Sequence, residues 1–278
     1  MSLSDTRLVL IAGIQENLSI LVNDPPMAQA AFEIEEASQW LIALGICNLL
    51  IYADVDRFYE NLVRAGHTRR HFLLLCRQQG LTDHPHLAIS RWDAFLAVVA
   101  AGDFPLARDL AVGSTDQWVK TGEYEDDFCY RLFLHDLIAP PDAVRQARLP
   151  ATLQRWGQWL GGQACPRLAV CEALLARDAA AFTQAFDDRL AQRQAEVQKQ
   201  AKMVMAADDT FEPMARVFIE GLALLRIASR LGLPTRVDYP LCPAVARGRA
   251  SLPFPDDIFP VLDAERRAVL AAAGRKSP

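Results

Sequence analysis

The chain has 278 residues, is 51% hydrophobic and 23% charged, and carries a formal net charge of −5. That composition is apolar enough to bury a core and too apolar for a disordered chain. The charge is uneven: residues 1–139 hold 10 Lys and Arg against 19 Asp and Glu, and residues 140–278 hold 19 against 15. An acidic front half argues against a nucleic-acid surface there, because phosphate binding draws on clustered cations.

Apolar residues recur at spacings of three and four, the helical period, and clean strand alternation is scarce. Helices are predicted near 6–22, 27–53, 56–65, 68–79, 88–101, 104–112 and 123–138, then near 142–161, 166–176, 179–206 and 211–231. Pro25-Pro26 parts the first two, and Asp83-His84-Pro85-His86 forms a loop. Pro140-Pro141 resists helix continuation and marks a boundary between an acidic half, 1–139, and a second half, 140–278, unless the two form one continuous domain. The stretch Leu233 to Pro260 holds six prolines and reads as an irregular tail, with a short helix over 261–273 after it. The expected fold is all-α: a multi-helix bundle with helical-repeat-like αα-hairpins and a Pro-rich C-terminal tail. The hairpins are Trp92 to Leu110 and Ala169 to Leu190, each with an apolar helix followed by an Asp that can cap the next. Two copies leave a solenoid and a generic bundle both open.

The longest nearly apolar stretch, Ile42 to Ala53, is short for a membrane span. Gln15-Glu16 interrupts the first apolar run, so no secretory leader is read. These features lead to the expectation of a cytoplasmic protein. None of the six cysteines forms a Cys-x-x-Cys pair, and Cys47, Cys76 and Cys171 lie in apolar helical runs as small hydrophobes.

Candidates for chemistry are few. His67 and His71 are four apart, but Thr68-Arg69-Arg70 between them opposes a metal, and they read as surface histidines. His84 and His86 read as loop histidines without a nucleophile at a recognisable spacing. Asp208, Asp209 and Glu212 could hold magnesium, which would suit a helical enzyme; the favoured reading has Asp209 capping the helix that Pro213 helps to open. Glu220 and Arg216 are four apart and can pair. Gly232 and Pro234 fit the end of the central helix. No phosphate loop, dinucleotide fingerprint or nucleophile elbow is present. No catalytic residue, cofactor or metal is therefore assigned. The remaining cluster is Glu123, Tyr124, Glu125, Asp126 and Asp127: either a solvated helix start or a partner-facing patch with steering charge and an aromatic anchor.

Three segments carry a resemblance: Val98-Val99-Ala100-Ala101-Gly102-Asp103, Ala173-Leu174-Leu175-Ala176-Arg177-Asp178, and Gly221 to Ala228, followed by the proline-bearing tail. Together they resemble the Imm49 family, immunity proteins of bacterial polymorphic toxin systems, over roughly residues 90–255. The resemblance implies a binding protein that neutralises a cognate toxin or effector in interbacterial competition, without catalysis. An acidic front half would suit a basic toxin such as a nuclease, blocked by steric and electrostatic occlusion. The patch at 123–127 is the expected interface, with neither nucleic acid nor membrane as partner. The alternative is a helical-repeat adaptor or regulator with an endogenous protein partner.

Overall fold

The computed structural model describes residues 2–256 except 22, 24, 83 and 204–207. Among them lie eleven α-helices and no strand, apart from one isolated bridge between Tyr239 and Cys242. The predicted helix at 261–273 and the predicted end of the helix at 179–206 lie partly or wholly outside the described residues.

Three long helices begin the chain: α1 (Leu3–Leu21), α2 (Met27–Tyr52) and α3 (Val55–Gln78), with α2 between the other two. α2 is long and apolar enough to cross a membrane by length and composition, but two thirds of its most apolar window is buried by the rest of the chain. The unbroken apolar run in it is short because Glu33, Glu35 and Glu36 interrupt it. Against α3 pack α4 (Ala94–Ala101) and α5 (Phe104–Gly113), and α11 (Ile219–Arg230) crosses back onto α4. Every residue of α4 is buried, which makes this two-turn helix the centre of the core. α6 (Glu125–Ile138) pairs with α7 (Ala143–Leu160), and α8 (Pro166–Ala176) with α9 (Ala179–Gln200). One apolar core runs from Ala31 to Ala246 through both sides of Pro140-Pro141.

Both predicted hairpins form, by one device. Gly102 closes α4 in the left-handed conformation at φ 87°, and Asp103 then accepts from the Leu106 N–H at 3.1 Å to cap α5. Arg177 closes α8 in the same conformation at φ 55°, and Asp178 accepts from the Ala180 and Ala181 amides at 2.9 and 3.0 Å to cap α9. A free carboxylate at a helix N-terminus satisfies donors that have no partner inside the helix.

Four boundaries differ from expectation. Residues 56–65 and 68–79 are one helix, α3. Gly66 does not break it: a Cβ there would lie 2.1 Å from Val98 Cγ2, so glycine lets α4 approach closely. Residues 88–93 are not helical: Trp92 is buried and donates from Nε1 to the His86 carbonyl at 2.9 Å. α6 begins at Glu125 rather than at 123. The helix expected over 211–231 is two, α10 (Phe211–Arg216) and α11, because Val217 turns extended and the Phe218 N–H donates to the Leu241 carbonyl at 2.7 Å. That tail segment continues over α3: the Tyr59 hydroxyl reaches the Ala246 and Gly248 carbonyls at 3.1 and 2.9 Å, and Asp56 accepts from the Ser251 amide at 2.6 Å.

Candidate partner-binding surfaces

The acidic run at the start of α6 is partly built into the fold. Glu123 accepts from the Ser90 amide at 2.9 Å and the Val119 amide at 3.3 Å, joining two loops. Glu125 meets Arg155 of α7 at 2.7 Å. Asp127 meets Arg167 of α8 at 3.0 Å, yet burial pushes its carboxyl up from the ordinary value, opposed by that arginine. Tyr124 precedes the helix and is 76% exposed. Asp126, in the first turn, is half-buried and forms no ion pair among the described residues. Of the five residues marked by the sequence, Tyr124 and Asp126 are thus the two without an internal task.

The same exchange recurs further along α6. Arg148 of α7 forks onto the buried Asp136 with two contacts of 2.6 Å and reaches Asp116 at 2.6 Å. The bond to Asp136 leads the causes that raise the Arg148 pKa, so the guanidinium stays charged. Asp116, Glu125, Asp127 and Asp136 belong to the acidic half, and their arginines belong to the other half. Part of the charge asymmetry along the chain is therefore complementarity inside one molecule.

Glu220 on α11 lies in a second cluster, which spacing did not reveal. Its pairing with Arg216 does not form; Arg216 turns to Glu212 at 2.5 Å. Glu220 is buried and accepts from Arg189 at 2.7 and 3.2 Å and from Arg167 at 2.7 and 3.2 Å. Burial alone would raise its pKa, but the two guanidiniums outweigh it and hold the carboxyl down at about 2. Arg189 lies over the Phe218 ring and Arg167 over the Tyr130 ring, 4.8 and 4.9 Å from the centroids. A cavity of about 140 Å³ beside them is lined by three arginines and three carboxylates, so it has no net sign to offer a charged ligand.

The family model of Imm49, described as immunity protein 49, matches residues 52–246. This chain belongs to the Imm49 family. No curated protein and no solved structure matches the chain. The three motif segments of this Imm49 chain are structural: two are the capped ends of α4 and α8, and the third is the helix α11 that packs on α4.

The remaining candidates in the Imm49 chain also resolve into packing. His67 is buried rather than on the surface, with Nε2 2.9 Å from the Pro255 carbonyl. His71 is half-buried. His84 accepts at Nδ1 from the His86 amide at 3.2 Å. His86 lies 2.7 Å from Glu35, and burial, with Arg91 next, pushes its pKa down to about 4. Asp208 accepts from the Thr210 amide at 2.8 Å, while Thr210, not Asp209, stands at the start of α10. Glu212 is committed to Arg216. Among the described residues no group of His, Cys, Asp and Glu is placed to hold a metal ion. Cys47, Cys76 and Cys171 are buried thiols, as are Cys129 and Cys242, and burial pushes the thiol of Cys47 up to about 11.

Proposed function

We propose that this protein binds a cognate toxin in the cytoplasm and neutralises it by covering its working surface, with no bond made or broken by its own side chains. The Imm49 match carries this reading. The internal commitment of Glu123, Glu125, Asp127, Glu220 and His86 supports it: their side chains are tied to partners within the chain rather than gathered at an open site. A rigid helical body of this kind reaches high affinity through a few desolvated anchors rather than through area. A nuclease-type toxin is the class that an acidic surface suits, because a site that attracts phosphate also attracts carboxylates. At the start of α6, Tyr124 supplies the anchor and Asp126 the uncommitted charge.

The test is co-expression with toxins encoded beside the gene, scored by growth. Relief of one toxin, with a complex that survives size exclusion, is expected. Absence of relief and of any complex would overturn the reading. Asp126→Lys and Tyr124→Ala isolate the patch, since reversing Glu123, Glu125 or Asp127 would also break internal bonds. Slower association with a flatter salt dependence is expected of Asp126→Lys. Unchanged association kinetics in both variants would remove the patch while leaving the immunity role intact.

A further inference from the structure

A groove of about 470 Å³ opens between α3 and α5. Its floor includes Leu74 and Val112, which are 40% and 53% exposed. Arg70, Leu74 and Arg77 fall on one face of α3 at intervals of four and three, and Arg108 and Val112 on one face of α5 at an interval of four. Three arginines and one carboxylate, Asp109, line it, so it is positive within the half of the chain that is otherwise acidic. Arg70 and Asp109 are 3.8 Å apart with both side chains exposed, a separation at which water screens most of the attraction. Among the described residues Arg77 forms no ion pair, and the buried Nε of Arg108 has no hydrogen-bond partner.

We propose that this groove receives a segment of the toxin that presents apolar side chains flanked by carboxylates. The proposal rests on the immunity reading and names the chemistry of one contact. A helix laid between α3 and α5 would seat apolar residues on Leu74 and Val112 while its carboxylates reach Arg77 and Arg108. Charge disfavours groove-to-groove pairing with a second copy of this chain, which would set one positive groove against another. Together with the acidic patch at Asp126, a contact of opposite sign fixes the orientation of the bound toxin, because a misplaced partner meets like charge.

The experiment uses the full chain and the toxin whose growth inhibition it relieves. Arg77→Glu with Arg108→Glu is expected to weaken binding at least 100-fold and to abolish relief. Leu74→Ala with Val112→Ala is expected to weaken it at least tenfold. Should the double reversal lower the melting temperature, the single Arg77→Glu, on an exposed side chain, still reads the site with an expected tenfold loss. Lys substitution of the facing toxin carboxylates should recover affinity for the reversed chain. Binding and relief within twofold of the parent in all these variants would overturn the groove alone; a parent chain that relieves no toxin would overturn the immunity reading itself. Groove variants that change the sedimentation of the chain alone, lose binding to a DNA duplex that the parent binds, or lose binding of a synthetic 257–278 peptide would also overturn the proposal.

Discussion

The start of α6 and the groove between α3 and α5 both carry charge on the family-matched part of the chain, and the fold uses them in opposite ways. At α6, Glu123 holds two loop amides, and Glu125 and Asp127 meet arginines of α7 and α8. In the groove, Arg77 and the Nε of Arg108 have no partner among the described residues. A run of charge in the sequence therefore says little about which surface is available. What matters is whether opposite charge from elsewhere in the chain reaches it first. A spent charge is expected to register in stability and an unspent one in binding, so substitutions at the two kinds of site should separate.

The largest effect is expected where charge is spent most deeply. Glu220→Ala leaves Arg167 with Asp127 at 3.0 Å and Arg189 with Glu196 at 3.3 Å, both partly exposed carboxylates, and should cost about 3–5 kcal/mol, as breaking a buried pair from one side generally does. Urea unfolding of purified protein measures it; a change under 1 kcal/mol would mean that water enters the cavity and solvates both guanidiniums. Arg148→Ala leaves Asp136, among the described residues, with Arg145 at 3.8 Å as its remaining cation. It should cost about 2–3 kcal/mol, less than the first because one charged group rather than two loses its nearest buried partner. If Arg148→Ala proved neutral, the clasp between the two halves would be decoration and the acidic half would again be available to a partner.

The contrast also explains what could be read from the chain alone. Helix ends with local chemistry were readable: Asp103 and Asp178 each cap the helix that follows, and Pro140-Pro141 separates α6 from α7. Ends set by distant contacts were not. Gly66, between the helices expected over 56–65 and 68–79, serves the approach of Val98, and Val217 carries no breaker signal because the bond that turns the chain there comes from Leu241. The candidate site divides similarly. The acidity of residues 123–127 is local and visible, whereas the arginines that consume it stand 30 and 40 residues away. The groove left a weaker trace, Arg70, Leu74 and Arg77 on one helical face, which spacing offers only once α5 is known to lie alongside.

A third effect separates burial from pairing. His135 is buried on α6 with its ring 4.2 Å from Phe95, and its Nε2 has no hydrogen-bond partner among the described residues. Burial, followed by repulsion from Arg131 and Arg69, pushes its pKa down from 6.5 to about 3. Between those values the unfolded chain binds a proton that the folded chain refuses, so stability is full above pH 6.5 and falls as the pH drops. From pH 7 to pH 5 the loss is about 2 kcal/mol for such a group. His86, lowered to about 4, adds a similar slope, so His135→Phe should remove about half of the pH dependence over that range. Unfolding midpoints at both pH values measure this, and an unchanged slope would place the protonation elsewhere.

The smallest effect on stability is expected at the groove, and its smallness is the point. Arg77 is exposed and forms no ion pair among the described residues, so Arg77→Ala removes no ion pair there and strands no donor or acceptor. Its unfolding free energy should stay within about 0.5 kcal/mol of the parent, the usual range for surface sites free of buried partners. The same substitution should weaken the toxin complex, whereas Glu220→Ala should leave the affinity of the folded fraction unchanged. A stability loss above 1 kcal/mol for Arg77→Ala would show that the groove arginines also serve the fold. The distinction between spent and unspent charge would then fail at the place where it is sharpest.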